Sequence, residues 1–176
     1  MNKNLPRAIV KTLTDKNMKI SSAESCTGGL LSKLLTGVPG SSLVFMGGVI
    51  AYDNSVKVNI LRVPESVLIE HGAVSFECAR KMAEGLGVSI PSDLRISITG
   101  IAGPGGGTED KPVGTVFIGI SGDKFTTVFR CLFRGGRERI RFSAARKAME
   151  IILAGLSGSL DQAPAPDVID KRVYDI

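Results

Sequence analysis

The sequence predicts an α/β protein in which helices cover both faces of one mixed sheet. Segments with strand-like alternation and segments with helical spacing of apolar residues follow one another along most of the 176 residues. The period of the apolar residues changes shortly after Ala23, which predicts a strand that leads into a helix. Residues 113–120 and 125–133 are strand-like segments joined by a short turn, so they predict a β-hairpin and therefore a mixed sheet.

The helices are predicted from apolar stripes and from residues that favour helix starts. Asp53 and Ser75 stand where a capping side chain is expected, and Gly135-Gly136 precede the last helix. We expect helices over residues 5–16 and about 29–35, after residues 53 and 64, from 75 through 86, and after residue 136, with an apolar stripe in the last at Ile140, Ala144, Ala148 and Ile151.

The other strands are predicted over residues 18–23, 43–52 and 95–99. Residues 43–52 are a largely apolar run, which predicts a buried central strand. At 43% hydrophobic and 22% charged residues, the chain is large enough for one core. We expect a single domain over residues 1–154 and a polar tail over residues 155–176, where Gly, Ser, Asp and Pro accumulate.

Composition also limits the classes of function. No apolar run has membrane-spanning length and no signal peptide is evident at the N-terminus, so we expect a cytoplasmic protein without a membrane partner. Three cysteines stand far apart beside a single histidine, which supports neither a disulfide framework nor a zinc site, and we expect no metal or other cofactor. The net charge of +5 favours an anionic partner without identifying it.

The segment from strand to helix around Ser25 is the first candidate for chemistry. Ser25 and Thr27 stand there together, and Gly28 and Gly29 permit close approach of a ligand or another backbone. Unpaired N–H groups at a helix start favour negative charge. The alternative interpretation is that Ser25 is an N-cap, which is the commoner use of serine before a helix.

A second candidate is the long glycine-rich loop over residues 100–112. It lacks the spacing of the dinucleotide-binding fingerprint and of the P-loop. Backbone N–H groups in such a loop can bind an anion or form an oxyanion hole. The alternative is a mobile surface loop without a functional role.

A serine nucleophile needs a base, and two residues were compared for that role. His71 lies beside a turn, where a lone histidine is more often a surface residue. Lys57 follows the predicted strand that ends at Tyr52, and a lysine can act as a base if its pKa is lowered. The alternative for Lys57 is an exposed helix lysine.

Five motifs in order resemble the CinA C-terminal domain family, which includes the nicotinamide-mononucleotide deamidase. They are Ala23-Glu-Ser-Cys-Thr-Gly-Gly29, Tyr52-x-Asn54-x-x-Lys57, His71-Gly-Ala-Val-Ser75, Gly100-Ile-Ala-Gly-Pro104 and Lys111-Pro-Val-Gly-Thr115. The resemblance extends to about residue 154 and implies a three-layer α/β/α sandwich with a mixed, mainly parallel sheet. It also implies a nucleophile at Ser25, a base at Lys57 and an assisting Tyr52.

The reaction implied is metal-independent hydrolysis of the carboxamide of nicotinamide mononucleotide. The substrate and oxyanion would be held by a set of turn, loop and helix residues: Cys26, Thr27, Gly28, Gly29, Gly100, Ala102, Gly103, Arg137 and Arg141. Arg137 and Arg141 lie four apart at the start of the last helix, where an anion such as the substrate phosphate would offset their charge. The alternative is a solvated basic helix in which Glu138 compensates the charge locally. Glu24 beside the nucleophile is expected to face away or to bind another group, because its charge would raise the pKa of the lysine.

Two other functions are compatible with the sequence. Residues 130–147 contain seven basic residues and one acidic residue, which could form a nucleic-acid surface, although the chain has no Trp and only two Tyr for stacking. The second of these functions is that of a non-catalytic interaction domain. We expect a homo-oligomer that takes a small phosphorylated substrate, and we do not expect nucleic acid as its partner.

Overall fold

The computed structural model describes residues 4–158 and 173–174. In chain order its elements are α1 (Asn4–Asp15), β1 (Ile20–Glu24), α2 (Leu30–Thr36), a 3-10 turn (Ser41–Leu43), β2 (Phe45–Ile50), α3 (Asn54–Asn59), α4 (Glu65–Glu70), α5 (Phe76–Ser89), β3 (Leu94–Gly100), β4 (Thr115–Ser121), β5 (Thr126–Phe133), α6 (Arg137–Leu156) and β6 (Val173–Tyr174).

The strands form one mixed sheet in the order β2-β1-β3-β4-β5-β6. β1 is parallel to both of its neighbours, β4 is antiparallel to β3 and β5, and β6 is parallel to β5. One face packs against α1, α2 and α6, and the other packs mainly against α5. The predicted three-layer α/β/α sandwich is therefore confirmed.

The prediction of a buried central strand over residues 43–52 is wrong. β2 lies at the edge of the sheet, pairs only with β1, and covers Phe45–Ile50. Its residues alternate between half-buried and exposed, and Met46 and Ile50 are 53% and 56% exposed. An apolar run does not specify how many neighbours a strand has, and β3 takes the more central position with a largely buried sequence.

Local signals in the sequence are confirmed at several elements. The side chain of Asp53 accepts a hydrogen bond from the N–H of Ser55, and that of Ser75 accepts one from the N–H of Cys78. β4 and β5 form the expected antiparallel hairpin. The predicted stripe of α6 is buried throughout: Ile140, Ala144, Ala148 and Ile151.

The C-terminal part of the chain is described only in pieces. α6 continues to Leu156, and β6 pairs with Leu132 and Phe133 of β5. The rest of the predicted polar tail, residues 159–172 and 175–176, lies outside the described residues. Among the helices that the structure describes, none has the length and apolar character needed to cross a membrane.

Candidate active site

Ser25 lies directly after β1, at the carboxyl end of the parallel part of the sheet. Its N–H donates to the carbonyl of Ile98 in β3 at 2.9 Å, and its own carbonyl accepts from the N–H of Gly28 at 3.0 Å. α2 begins only at Leu30, with Gly29 as its N-cap residue. The interpretation of Ser25 as a helix N-cap is therefore wrong, and its half-buried side chain is available for another role.

The turn that carries Ser25 depends on its two glycines. Gly28 and Gly29 have φ angles of 60° and 90°, a region that side chains strongly disfavour. A Cβ on Gly28 would lie 3.5 Å from Nη2 of Arg141, and one on Gly29 would lie 3.1 Å from Cδ1 of Ile50. The contact at Gly28 is an ordinary one, so the positive φ angles are what favour glycine at both positions, together with the tight contact at Gly29.

Glu24 binds the start of α2, on the other side of the strand from the expected base. Its side chain is 1% exposed, and its carboxylate accepts from the N–H groups of Leu31 at 3.1 Å and Ser32 at 2.8 Å. The hydroxyl of Ser32 also donates to it at 2.6 Å and contacts Ser22 at 2.9 Å. Glu24 therefore binds another group, as expected, and closes the Ser25 turn by capping a helix that has no cap from its own N-cap residue.

Replacing Glu24 with Ala should lower the free energy of unfolding by about 3 kcal/mol, because buried N–H groups at the start of α2 lose their acceptor. Glu109→Ala is the matched control, since Glu109 is an exposed carboxylate in the glycine-rich loop and its loss should cost less than about 0.5 kcal/mol. Urea unfolding followed by circular dichroism measures both. Equal stabilities for the two variants would contradict the capping role.

Lys57 is buried rather than exposed on the surface of α3. Its side chain is 1% exposed, and Nζ donates to the carbonyls of Ala51 at 2.9 Å and Tyr52 at 3.3 Å and to Oδ1 of Asn54 at 3.3 Å. The cap at Asp53 starts α3, and Lys57 is the buried residue in the last turn of this short helix. The alternative of an exposed helix lysine is therefore wrong.

Two observations relate the position of Lys57 to the end of β1, where the Ser25 turn begins. The N–H of Ala51 donates to the carbonyl of Glu24, so the residue whose carbonyl binds Nζ is hydrogen-bonded to the residue before the serine. Side chains alternate along a strand, and Ala23 packs on the face of the sheet that α5 covers. The N–H of Ser25 continues the pairing with β3, so the alternation predicts that Ser25 shares the α5-covered face with Ala23, whereas Glu24 binds α2 on the other face.

Burial lowers the pKa of Lys57 below its ordinary value, and the carboxylate of Asp53 opposes this effect. Burial also raises the pKa of the Cys26 thiol to about 12 and that of Cys78 to about 11, so both thiols stay protonated and uncharged near neutral pH. Cys26 packs in the core between the sheet and α6. A buried lysine whose pKa is lowered gives up its proton more readily than an exposed one, which suits it to act as a base.

Arg137, the first residue of α6, connects two loops at this edge of the sheet. Its Nη2 donates to the hydroxyl of Tyr52 at 3.0 Å, and its Nη1 donates to the carbonyl of Gly103 at 2.6 Å. The Tyr52 side chain is 61% exposed. The structure thus brings together the residue after β2, the loop after β3 and the start of the last helix.

Arg141 completes this arrangement from the next turn of α6. Its Nη2 donates to the carbonyl of Thr27 at 2.8 Å, and its Nη1 forms an ion pair with Glu138 at 2.6 Å. Within the described residues, Arg137 bonds to a hydroxyl and a carbonyl, whereas Arg141 also pairs with the exposed carboxylate of Glu138. Both guanidinium groups lie at the rim of the site.

The glycine-rich loop is tied to this edge at both ends. Gly100 ends β3, Ala102 is 4% exposed, and the N–H of Gly114 donates to the carbonyl of Ile101. Together with the turn after β1 and the loop after β2, it lies at the carboxyl ends of the three parallel strands, where α/β proteins commonly bind ligands. The alternative of a loop without any role therefore has less support.

The basic segment 130–147 carries less uncompensated charge than the sequence suggests. Arg141 pairs with Glu138, and Arg146 and Lys147 pair with Glu150 at 3.2 and 3.7 Å. The contribution of Glu150 was missed because it lies just beyond the segment. Nucleic-acid binding by this surface stays an untested alternative.

The sequence analysis named Glu24 and Asn54 but did not predict the contacts that they make. The capping role of Glu24 depends on hydrogen bonds to residues seven and eight positions further along the chain, and no local sequence pattern predicts them. Asn54 had a usable signal, because it stands three residues before Lys57 and therefore on the same face of a helix.

Comparisons with known proteins identify the family. A family model described as the CinA C-terminal domain matches residues 2–156. The chain belongs to the CinA C-terminal domain family. A CinA-like protein of Thermotoga maritima is 48% identical over 154 residues, which are 88% of this chain and 38% of that protein. This chain thus spans about two fifths of the length of that relative.

Solved structures of the family have the same fold. The competence/damage-inducible protein CihA of Agrobacterium tumefaciens superposes with a TM-score of 0.84 at 37% identity, over 88% of this chain and 94% of that one. A CinA superfamily protein of Klebsiella pneumoniae has a TM-score of 0.85 at 31% identity, over 90% and 99% of the two chains. CinA membership therefore rests on both sequence and fold.

Proposed function

We propose that this protein is an amidohydrolase that deamidates nicotinamide mononucleotide to nicotinic acid mononucleotide and ammonia. The observation that carries the proposal is the buried Nζ of Lys57, held at the carboxyl ends of β1 and β2 beside the turn of Ser25. Burying a lysine costs folding free energy, and burial lowers the pKa of Lys57. Groups with pKa values perturbed in this way cluster at active sites.

In the first half-reaction, Oγ of Ser25 attacks the carboxamide carbon while Lys57 Nζ takes the hydroxyl proton. The carbonyl oxygen becomes an oxyanion, for which the N–H groups of Cys26 and Thr27 are the best candidates in the turn, since that of Gly28 is already bonded. Lys57 then returns its proton to the amine, and ammonia leaves with the C–N bond electrons. An acyl ester on Ser25 remains.

In the second half-reaction, water attacks the ester and Lys57 takes one of its protons. The C–O bond to Ser25 breaks, the serine oxygen recovers a proton from Lys57, and the carboxylic acid is released. Tyr52 lies at the rim, where its hydroxyl is fixed by Arg137 and can orient the leaving group or the water. No step requires a metal, and no cofactor is proposed.

The test of the proposal is ammonia release from nicotinamide mononucleotide, with the free nicotinamide base and the nucleoside as comparison substrates. We expect hydrolysis of the mononucleotide and much slower turnover of the other two. If no pyridine carboxamide is hydrolysed at any pH at which the protein is folded, the proposed function is wrong.

The substrate phosphate is proposed to bind Arg137 and Arg141. Arg137→Ala and Arg141→Ala should each weaken binding of the mononucleotide by about 1.5–3 kcal/mol, the range for hydrogen bonds to charged groups, and should raise KM more than they lower kcat. Slow hydrolysis of the nucleoside should change less. The control is Arg146→Ala, because Arg146 pairs with Glu150 further along the same helix. Equal losses with both substrates would show that the phosphate binds elsewhere.

A further inference from the structure

The motif Tyr52-x-Asn54-x-x-Lys57 contains one polar residue to which the proposed function gives no role. Asn54 is the first residue of α3, one turn before Lys57, and its Oδ1 accepts a hydrogen bond from Nζ at 3.3 Å. The other two acceptors of Nζ are the main-chain carbonyls of Ala51 and Tyr52. Asn54 is therefore the side chain that completes the hydrogen bonding of the lysine.

The number of acceptors has a consequence for the proton on Lys57. An ammonium group has three N–H donors, and three oxygens surround Nζ, so this arrangement fits the charged form. A neutral amine has two N–H donors and one lone pair. To take the proton of Ser25, Nζ must turn that lone pair towards the serine hydroxyl, and one of the three oxygens then loses its hydrogen bond.

Asn54 is the acceptor best able to give up that bond. The carbonyls of Ala51 and Tyr52 belong to the main chain and cannot turn away as a side chain can, and the Ala51 peptide is also bonded through its N–H to the carbonyl of Glu24. The amide of Asn54 ends a rotatable side chain on an exposed residue. It can rotate into solvent at little cost when the lysine loses its proton.

We propose that Asn54 is a positioning residue that holds Nζ of Lys57 between turnovers and, being uncharged, releases it when the lysine becomes the base. The inference rests on the proposed function, in which Lys57 deprotonates Ser25. The amide is suited to this task because a carboxylate at the same position would hold the ammonium form.

The titratable groups around Lys57 support this reasoning. Cys78 from α5, and Cys26, which packs on the α6 side of the sheet, are buried thiols that stay protonated near neutral pH. Asp53 precedes α3, but its carboxylate is bonded to the N–H and hydroxyl of Ser55 at 2.8 and 2.6 Å. Glu24 binds α2 on the other face of the sheet. None of these groups is an anion bonded to Nζ, so a carboxylate introduced at position 54 would put a negative charge in direct contact with it.

The experiment measures the proton on Lys57 directly. Protein labelled with 13C at the lysine ε-carbon is titrated by NMR, and the Lys57 signal is assigned by its loss in Lys57→Arg. Asn54→Asp should raise the pKa of Lys57 by about 1–3 units, because an anion in contact favours the charged form. Asn54→Leu should lower that pKa, because the ammonium loses an acceptor. Asn59→Asp, at the exposed end of α3, is the control and should leave it unchanged.

Enzyme kinetics give the second measurement. In Asn54→Asp the rising limb of kcat/KM against pH should move to higher pH by the same amount as the NMR pKa, so the rate below that limb falls about tenfold per unit. In Asn54→Leu we expect a lower kcat with KM within about twofold, since Nζ is less well held and the substrate contacts are intact. Thermal unfolding of each variant confirms that it is folded.

The two proposals fail in distinguishable ways. If the protein hydrolyses its substrate but the pKa of Lys57 is the same in Asn54→Asp, Asn54→Leu and the parent protein, the role of Asn54 is wrong and the reaction stands. A shift of the Lys57 pKa in Asn59→Asp equal to that in Asn54→Asp would also show that the role of Asn54 is wrong. If the pKa responds as described but no carboxamide is hydrolysed, the control of Lys57 by Asn54 stands and the proposed reaction is wrong.

Discussion

Ser25→Ala is expected to lower kcat for deamidation by at least about 10⁴-fold, the scale seen when a serine nucleophile is removed from an acyl-transfer enzyme. The side chain is half-buried at the end of β1 and contributes little to the core, so folding and stability should be almost unchanged. Stopped assays of ammonia release over long times measure the residual rate. Mass spectrometry of acid-quenched reactions should find an acyl adduct in the parent protein and none in the variant.

Cys26→Ala is the control for the neighbouring nucleophile. Cys26 is 6% exposed, packs in the core beneath α6, and has a thiol whose pKa burial raises to about 12. A thiol that stays protonated is a poor nucleophile. We expect most of the activity to remain in Cys26→Ala, with a modest loss of stability from the small cavity. Comparable losses of activity in the two variants would undo the assignment of Ser25.

Lys57→Arg should lose about 10²–10⁴ in kcat even though it keeps the positive charge, because a guanidinium stays protonated at working pH and cannot act as a base. Lys57→Met should lose as much, because it removes the amine altogether. Both are compared with the parent protein in kcat and in the pH dependence of kcat/KM. Activity surviving in Lys57→Arg would show that another group is the base.

The pH dependence follows from the direction of the Lys57 pKa. The active form is the neutral amine, so the rate should rise with pH, and because burial lowers the pKa of Lys57 the rising limb should lie below the titration of an exposed lysine. The same shift affects folding. Between the folded and unfolded pKa values the unfolded chain binds more protons, so this group makes the free energy of unfolding increase with pH in that window. Lys57→Met should remove that contribution.

The family comparison supplies no reaction that could be transferred to this chain. The names of the relatives identify CinA proteins without stating a reaction, and this chain covers 38% of the Thermotoga maritima protein. Catalysis by the described fold is therefore tested on this chain itself. The homo-oligomeric state and the cytoplasmic location expected from the sequence stay predictions.

The sequence by itself determined the features that depend on nearby residues. The caps at Asp53 and Ser75, the stripe of α6 and the hairpin of β4 and β5 follow from spacing within one or two turns, and the structure confirms them. The identity of the Ser25 turn was also visible, since a change of period and two glycines are local signals. Five ordered motifs pointed to the family.

Only the tertiary structure decided what depends on distant parts of the chain. The edge position of β2 follows from which strands pair, and no local pattern specifies a strand's neighbours. The burial of Lys57 is seen only in the structure, where Nζ reaches the carbonyls of Ala51 and Tyr52. The bond between Arg137 and Tyr52 joins residues 85 positions apart. Such contacts form only when the sheet brings the ends of three strands and one helix to the same edge, which is why the site could be nominated from sequence but its geometry could not.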